Sequence, residues 1–124
     1  MAVKSWRLWR DNVLSILKRS FNYKGFNCYV IFREICGKVY RCGYVQIPKN
    51  IAIDTTSIDC HGGITYAYKE PPSPLEVNDE NKWYIGFDCA HAFDTADFWD
   101  SNRVSEELRH IVEQIIETNK ESEE

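Results

Sequence analysis

The sequence predicts an α+β domain: an antiparallel sheet of about four to five strands with an N-terminal and a C-terminal helix. Three observations carry that expectation. Runs rich in Val, Ile, Tyr and Phe, punctuated by Gly and Pro, occupy most of residues 27–88. Apolar residues recur at steps of three and four at both ends of the chain, over 5–19 and 102–119. The strands follow one another instead of alternating with helices. The 124 residues suffice for one domain, 1–124, with its own core. Its expected parts are a basic helix at 5–19, a sheet core at 27–94, a helix at 102–119 and an acidic tail at 120–124.

In the first segment Trp6, Trp9, Val13, Ile16 and Leu17 form the apolar stripe and Ser5 the N-cap. "NCYVIFREICGKVYRCGYVQI" (27–47) predicts a β-hairpin about a two-residue turn at Gly37-Lys38. That register sets Glu34 opposite Arg41, Cys36 opposite Val39 and Arg33 opposite Cys42. Pro48 ends the second strand. "GITYAYK" (63–69) alternates as a further strand, and "EPPSPLEVNDEN" (70–81) is a Pro-rich acidic loop. "KWYIGFD" (82–88) is almost continuously apolar, which predicts a central strand buried on both faces. Val104, Leu108, Ile111, Val112, Ile115 and Ile116 line one side of the last helix, with His110 off that stripe.

No apolar run approaches the ~20 residues of a membrane helix, and "MAVKSWRLWRDNVLSILKRS" breaks every apolar stretch with polar residues, unlike a secretory leader. A cytosolic protein is expected. Five cysteines, an odd number without dense pairing, fit free thiols or metal ligands better than disulfides. Charge is unevenly spread. Residues 1–49 hold ten basic and two acidic residues, a net of +8, and residues 50–124 hold five and seventeen, a net of −12. Either the halves neutralise each other in space, or an acidic face remains for a basic, nucleic-acid-binding protein partner. Phosphate-binding loops, dinucleotide fingerprints and RNA-binding aromatic motifs are missing, so no direct nucleic acid binding is expected.

Two segments concentrate chemistry: "DCHGG" (59–63) and "GFDCAHAFD" (86–94). His61, Asp88, Cys89 and His91 make one full zinc ligand set of imidazole, thiolate and carboxylate. Asp59, Cys60 and Asp94 are reserve ligands or partners that orient an imidazole. The spacing matches no standard zinc signature. A structural corner of packed Cys, Asp-bonded His and turn Gly explains the same residues about equally well. Cys89 with a His base, or a zinc-bound water with an Asp base, would make an enzyme, but no catalytic signature is present.

"IDCHGGITY" followed by "WYIGFDCAHAFD" resembles a group of small phage and mobile-element proteins. The group shares an HGG-(I/L)-T-Y segment and a later W-x-(I/V)-G-F-D-C-A-H-A-x-D segment, often preceded by a strand like "YRCGYVQIP". The likeness covers roughly residues 39–94 and singles out His61, Gly62, Gly63, Asp88, Cys89, His91 and Asp94. Cys60, Tyr84 and Phe93 depart from the pattern, Phe93 where Gly is common. The resemblance implies an anti-CRISPR inhibitor that binds a type II CRISPR effector nuclease stoichiometrically in the cytoplasm of an infected bacterial host. It would be a monomer or dimer, hold a structural zinc and perform no catalysis. Its expected binding surface comprises Glu76, Asp79, Glu80, Phe93, Asp97, Phe98, Trp99 and Asp100. The alternative is a metal-dependent hydrolase or nucleotide-handling enzyme of a mobile element.

Overall fold

A computed structural model describes residues 7–10, 13–76 and 79–122. Six strands form one antiparallel sheet, ordered β1 (Arg7–Arg10), β2 (Val13–Tyr23), β3 (Phe26–Ile35), β4 (Lys38–Pro48), β6 (Lys82–Asp88), β5 (Tyr66–Tyr68), with labels following the chain. One helix, α1 (Ser101–Ser122), packs across β2, β3 and β4. The α+β class stands. The sheet is larger than expected because the N-terminal segment joins it, and α1 runs on into the predicted tail. Among the described residues no helix is long and apolar enough to cross a membrane.

The predicted N-terminal helix 5–19 is a correction: Arg7–Arg10 and Val13–Tyr23 are strands. Residues 5, 6, 11 and 12 of that segment, and 123–124 of the tail, lie outside the described residues. The misreading has a physical origin. Pairing of β2 with β3 shifts register between Leu17 and Arg19, a bulge at Lys18. Leu17 packs with Tyr29 and Ile31 on one face. After the bulge, Arg19 reaches α1 on the other, donating to Ser105 Oγ at 3.1 Å and Asn102 Oδ1 at 3.0 Å. The helix-like spacing itself arises before the bulge: Val13, Leu14, Ile16 and Leu17 set apolar residues on both faces of the strand, a run whose spacing a helix stripe also allows. Pairing along the whole of β3, by a segment rich in Val, Ile, Phe and Tyr, decides for strand.

The hairpin turn also moves. Cys36-Gly37 forms it, so Ile35 pairs with Lys38, Glu34 with Val39, Arg33 with Tyr40 and Phe32 with Arg41. Both turn residues have positive φ, 50° and 84°, as a type I′ turn requires. Lys24-Gly25 makes the same kind of turn between β2 and β3, at φ 49° and 92°.

The sheet is covered on both faces. On one, Cys28, Val30, Val45, Ile47, Ile85 and Phe87 meet Val104, Leu108, Ile111 and Val112 of α1. On the other, the Pro-rich loop lays Leu75 against Leu17, Tyr29, Ile31, Tyr44 and Tyr84. Tyr84–Phe87 of β6 are accordingly buried throughout. Each wholly buried large apolar side chain contributes roughly 1.5–3 kcal/mol. The helix approaches closely where β4 has no side chain. A Cβ on Gly43 would stand 2.7 Å from Phe87 Cε1 and 3.0 Å from both Val104 Cγ1 and Leu108 Cδ2. Gly43→Ala should therefore destabilise the fold by about 1–3 kcal/mol through overpacking. Urea unfolding should show a lower midpoint with an unchanged slope; a midpoint like the wild type's would refute this packing.

Candidate metal centre

The two motifs meet at the C-terminal end of β6. The first is a tight turn: Gly63 N–H donates to Cys60 O at 2.9 Å, and Gly62 and Gly63 have φ of 72° and 77°. This turn is fastened to α1. His61 N–H donates to Glu107 Oε2 at 2.7 Å. Gln114 clamps Asp59, accepting from its N–H at 2.8 Å and donating to its carbonyl at 2.7 Å.

The second motif leaves β6 and folds into a turn in which Asp94 N–H donates to His91 O at 3.0 Å. Asp94 Oδ2 accepts from His91 N–H at 3.0 Å and from His61 Nε2 at 2.8 Å. A carboxylate only accepts, so the proton of that second bond lies on His61 Nε2. The His61 ring is stacked on Trp99, centroids 4.2 Å apart at 28°, and meets the His91 ring edge-on at 5.3 Å. His91 Nε2 also lies 3.5 Å from Asp88 Oδ1. One donor atom each of His61, His91 and Asp94 lies within 4.8 Å of the other two. Gly62 makes room for this: a Cβ there would overlap His91 Nε2.

Burial pushes the Asp94 carboxyl up, but the bond from His61, the His91 N–H and the two imidazole charges outweigh it and hold the group below its ordinary value. Asp94 therefore stabilises the fold above its unfolded pKa, and that stability is lost as pH falls through the lower, folded one.

Of the predicted ligands, His61 and His91 come together and Asp94, a reserve, completes the set. Cys89 does not join. It continues the parity of Ile85 and Phe87 into the helix-side core, is 2% exposed, and burial pushes its thiol up. A thiol so placed makes a poor ligand or nucleophile. Asp88 lies beside His91 with its oxygens turned to Ala90 N–H and Thr65 Oγ1, at 3.1 Å each. Asp59 is exposed and bonded through its backbone. Cys60 packs against the helix-side core, its thiol pushed up to about 12 by burial first, then Glu107 and Asp59.

The expected binding surface divides. Glu76, Asp79 and Glu80 precede β6, and Glu80 lines a cleft of about 860 Å³ with Lys49, Lys69 and Lys82. Phe93, Asp97, Phe98, Trp99 and Asp100 follow β6, at the end that carries His91. Asp100 caps α1, accepting from Arg103 N–H at 2.8 Å, and Trp99 supports His61. Sequence reasoning missed Arg41. Its Nη1 donates to Ala96 O at 2.7 Å and Trp99 O at 3.1 Å, holding the loop that carries Trp99. Only the correct hairpin register, which pairs it with Phe32, would have pointed there.

Two imidazoles and one carboxylate, partly open to solvent, are a donor set that could hold a metal ion, and zinc accepts these ligand types. No family model, curated protein or solved structure matches the chain.

Two outcomes test this geometry. Gly62→Ala should displace the His91 ring and cost about 1–2 kcal/mol of stability, since it adds both strain and overlap. Nuclear magnetic resonance of the His91 ring protons and urea unfolding would report both; an unmoved ring would overturn the placement. Asp94→Asn should flatten the fall in unfolding midpoint as pH drops below about 4, the ordinary carboxylate value. An equally steep fall in the variant would assign that acid sensitivity elsewhere.

Proposed function

We propose that the protein is a zinc-binding inhibitor that docks stoichiometrically on a basic protein surface. A type II CRISPR effector nuclease, the target implied by the motif resemblance, is the partner to test first, which would place the action in the cytoplasm of a bacterial host. One observation carries the docking reading. Phe93 is 102% exposed and held at φ 72°, at the tip of the turn that joins His91 to Asp94. A left-handed backbone costs an L-residue about 1–2 kcal/mol, and an exposed ring returns nothing to folding. Such a side chain makes sense as an anchor for a partner. Phe98, 55% exposed with the Arg103 guanidinium 3.9 Å over its ring, follows in the same loop, with Asp97 next to it in sequence. Zinc on His61, His91 and Asp94 would lock the turn that presents Phe93, with Asp88 orienting His91.

A second reading rests on the same donor set. Three protein ligands leave a position for water, the arrangement of hydrolytic zinc sites. The stoichiometry of action separates the two, since an inhibitor saturates near one equivalent and an enzyme works far below it.

Protein purified without a His-tag should carry near-stoichiometric zinc, and His91→Ala should lose it. Zinc takes neutral imidazole and ionised carboxylate, so protons compete with it for the donors and affinity should fall with falling pH. Phe93→Gly should raise stability by about 0.5–1 kcal/mol by relieving the backbone while weakening nuclease inhibition at least about tenfold. Unchanged inhibition by Phe93→Gly, measured as nuclease activity against inhibitor concentration, would remove the turn from the docking surface.

A further inference from the structure

A second site lies on the sheet face opposite α1. Arg33, Tyr40, Cys42, Tyr44, Tyr66 and Asp88 surround most of a pocket of about 230 Å³. Arg33 is the group there that needs explaining. It is partly buried, with Nη1 donating to Ser15 Oγ at 2.6 Å and Ser73 O at 3.1 Å, and Nη2 to Tyr44 Oη at 2.8 Å. Every one of these acceptors is neutral. Among the described residues no carboxylate forms an ion pair with it. Its titratable neighbours supply no charge either, because burial raises both the Cys42 thiol and the Tyr44 hydroxyl. A guanidinium drawn out of water and given only neutral partners is short of an anion.

The pocket shows what kind of anion would fit. Tyr44 meets Tyr66 edge-on at 5.3 Å, and Tyr66 meets Tyr68 at 4.9 Å. Tyr40 lines the same space. Flat aromatic walls beside a planar five-donor cation suit a flat body bearing an oxyanion. Asp88, at the rim, has its oxygens engaged by Thr65 Oγ1 and Ala90 N–H.

We infer that this pocket binds a small organic anion, a carboxylate or phosphate monoester on a flat apolar body, with the oxyanion on the Arg33 guanidinium and the body against Tyr40 and Tyr66. The inference is independent of zinc and of any protein target.

The full chain would be titrated with benzoate, phenyl phosphate, inorganic phosphate and neutral benzyl alcohol, with shifts read on the tyrosine ring protons. Benzoate or phenyl phosphate should bind saturably, and whichever binds more tightly identifies the head group. Inorganic phosphate should bind at least about tenfold more weakly, lacking the ring, and benzyl alcohol should not saturate. Tyr40→Ala should weaken the better probe at least about fivefold, and Arg33→Met should abolish it. If Arg33→Met fails to fold, Tyr40→Ala and Tyr66→Leu decide, because neither removes an Arg33 hydrogen bond. Benzyl alcohol binding as tightly as benzoate would show an apolar cleft without anion recognition and overturn the proposal. Absence of saturable binding by both aromatic anions, or saturation unaffected by Tyr40→Ala, would overturn it too.

Discussion

The approach of α1 to the sheet at Gly43 is the constraint on which the rest depends. One helix, flanked by Ile51, Ile53 and Ile58, has to cover the central strands, and it can do so only by lying low. A bare backbone at Gly43 lets Phe87, Val104 and Leu108 converge on one point. From that seat the helix start receives Arg19 from β2, and its exposed side reaches outward to the 59–61 turn through Glu107 and Gln114. Raising the helix by a methyl group would disturb the core and loosen the turn that carries His61.

Charge follows the same geometry. The basic half of the chain builds β1–β4, and the acidic half builds the helix and the loops around it. Lys24 pairs with Glu113 at 2.8 Å, Lys38 donates to Ala90 O at 3.0 Å, and Arg41 holds the 96–99 loop. Of these three contacts, only Lys24–Glu113 neutralises charge between the halves. The exposed Lys24–Glu113 pair adds little stability on its own. Cations that donate to loop carbonyls instead fix where loops go, which matters more for a site built between loops.

What could be foreseen followed from unbroken patterns. β6 and α1 were legible because their apolar periods run without interruption. His61 and His91 were legible because histidines beside Asp and Gly are chemically conspicuous. β2 was not, since Val13, Leu14, Ile16 and Leu17 put apolar residues on both of its faces, a spacing that also fits a helix stripe. The ligand set was half legible for a related reason. Asp88 and Cys89 are neighbours at a strand end, so their side chains point to opposite faces. With Phe87 in the helix-side core, Cys89 follows it inward and the carboxylate turns to the rim. Strand parity argues against both serving one ion, and Asp94, three residues past His91, returns by its turn to the vacant side.

That parity also explains how one short strand end can serve two sites. Asp88 faces the tyrosine-lined pocket and, through Oδ1, His91. Its Oδ2 accepts from Thr65, whose own N–H donates to Gly86 O across the β5–β6 edge. A change in the protonation or ligation of His91 alters the demand on Oδ1, while a ligand entering the pocket meets the same carboxylate from the other side. The two candidate sites therefore share one acidic group, and charge added at either would be felt at the other. A cation at the histidines would lower the negative potential that an anion near Arg33 must face, so the two ligands would favour each other's binding. By linkage that preference is equal in both directions.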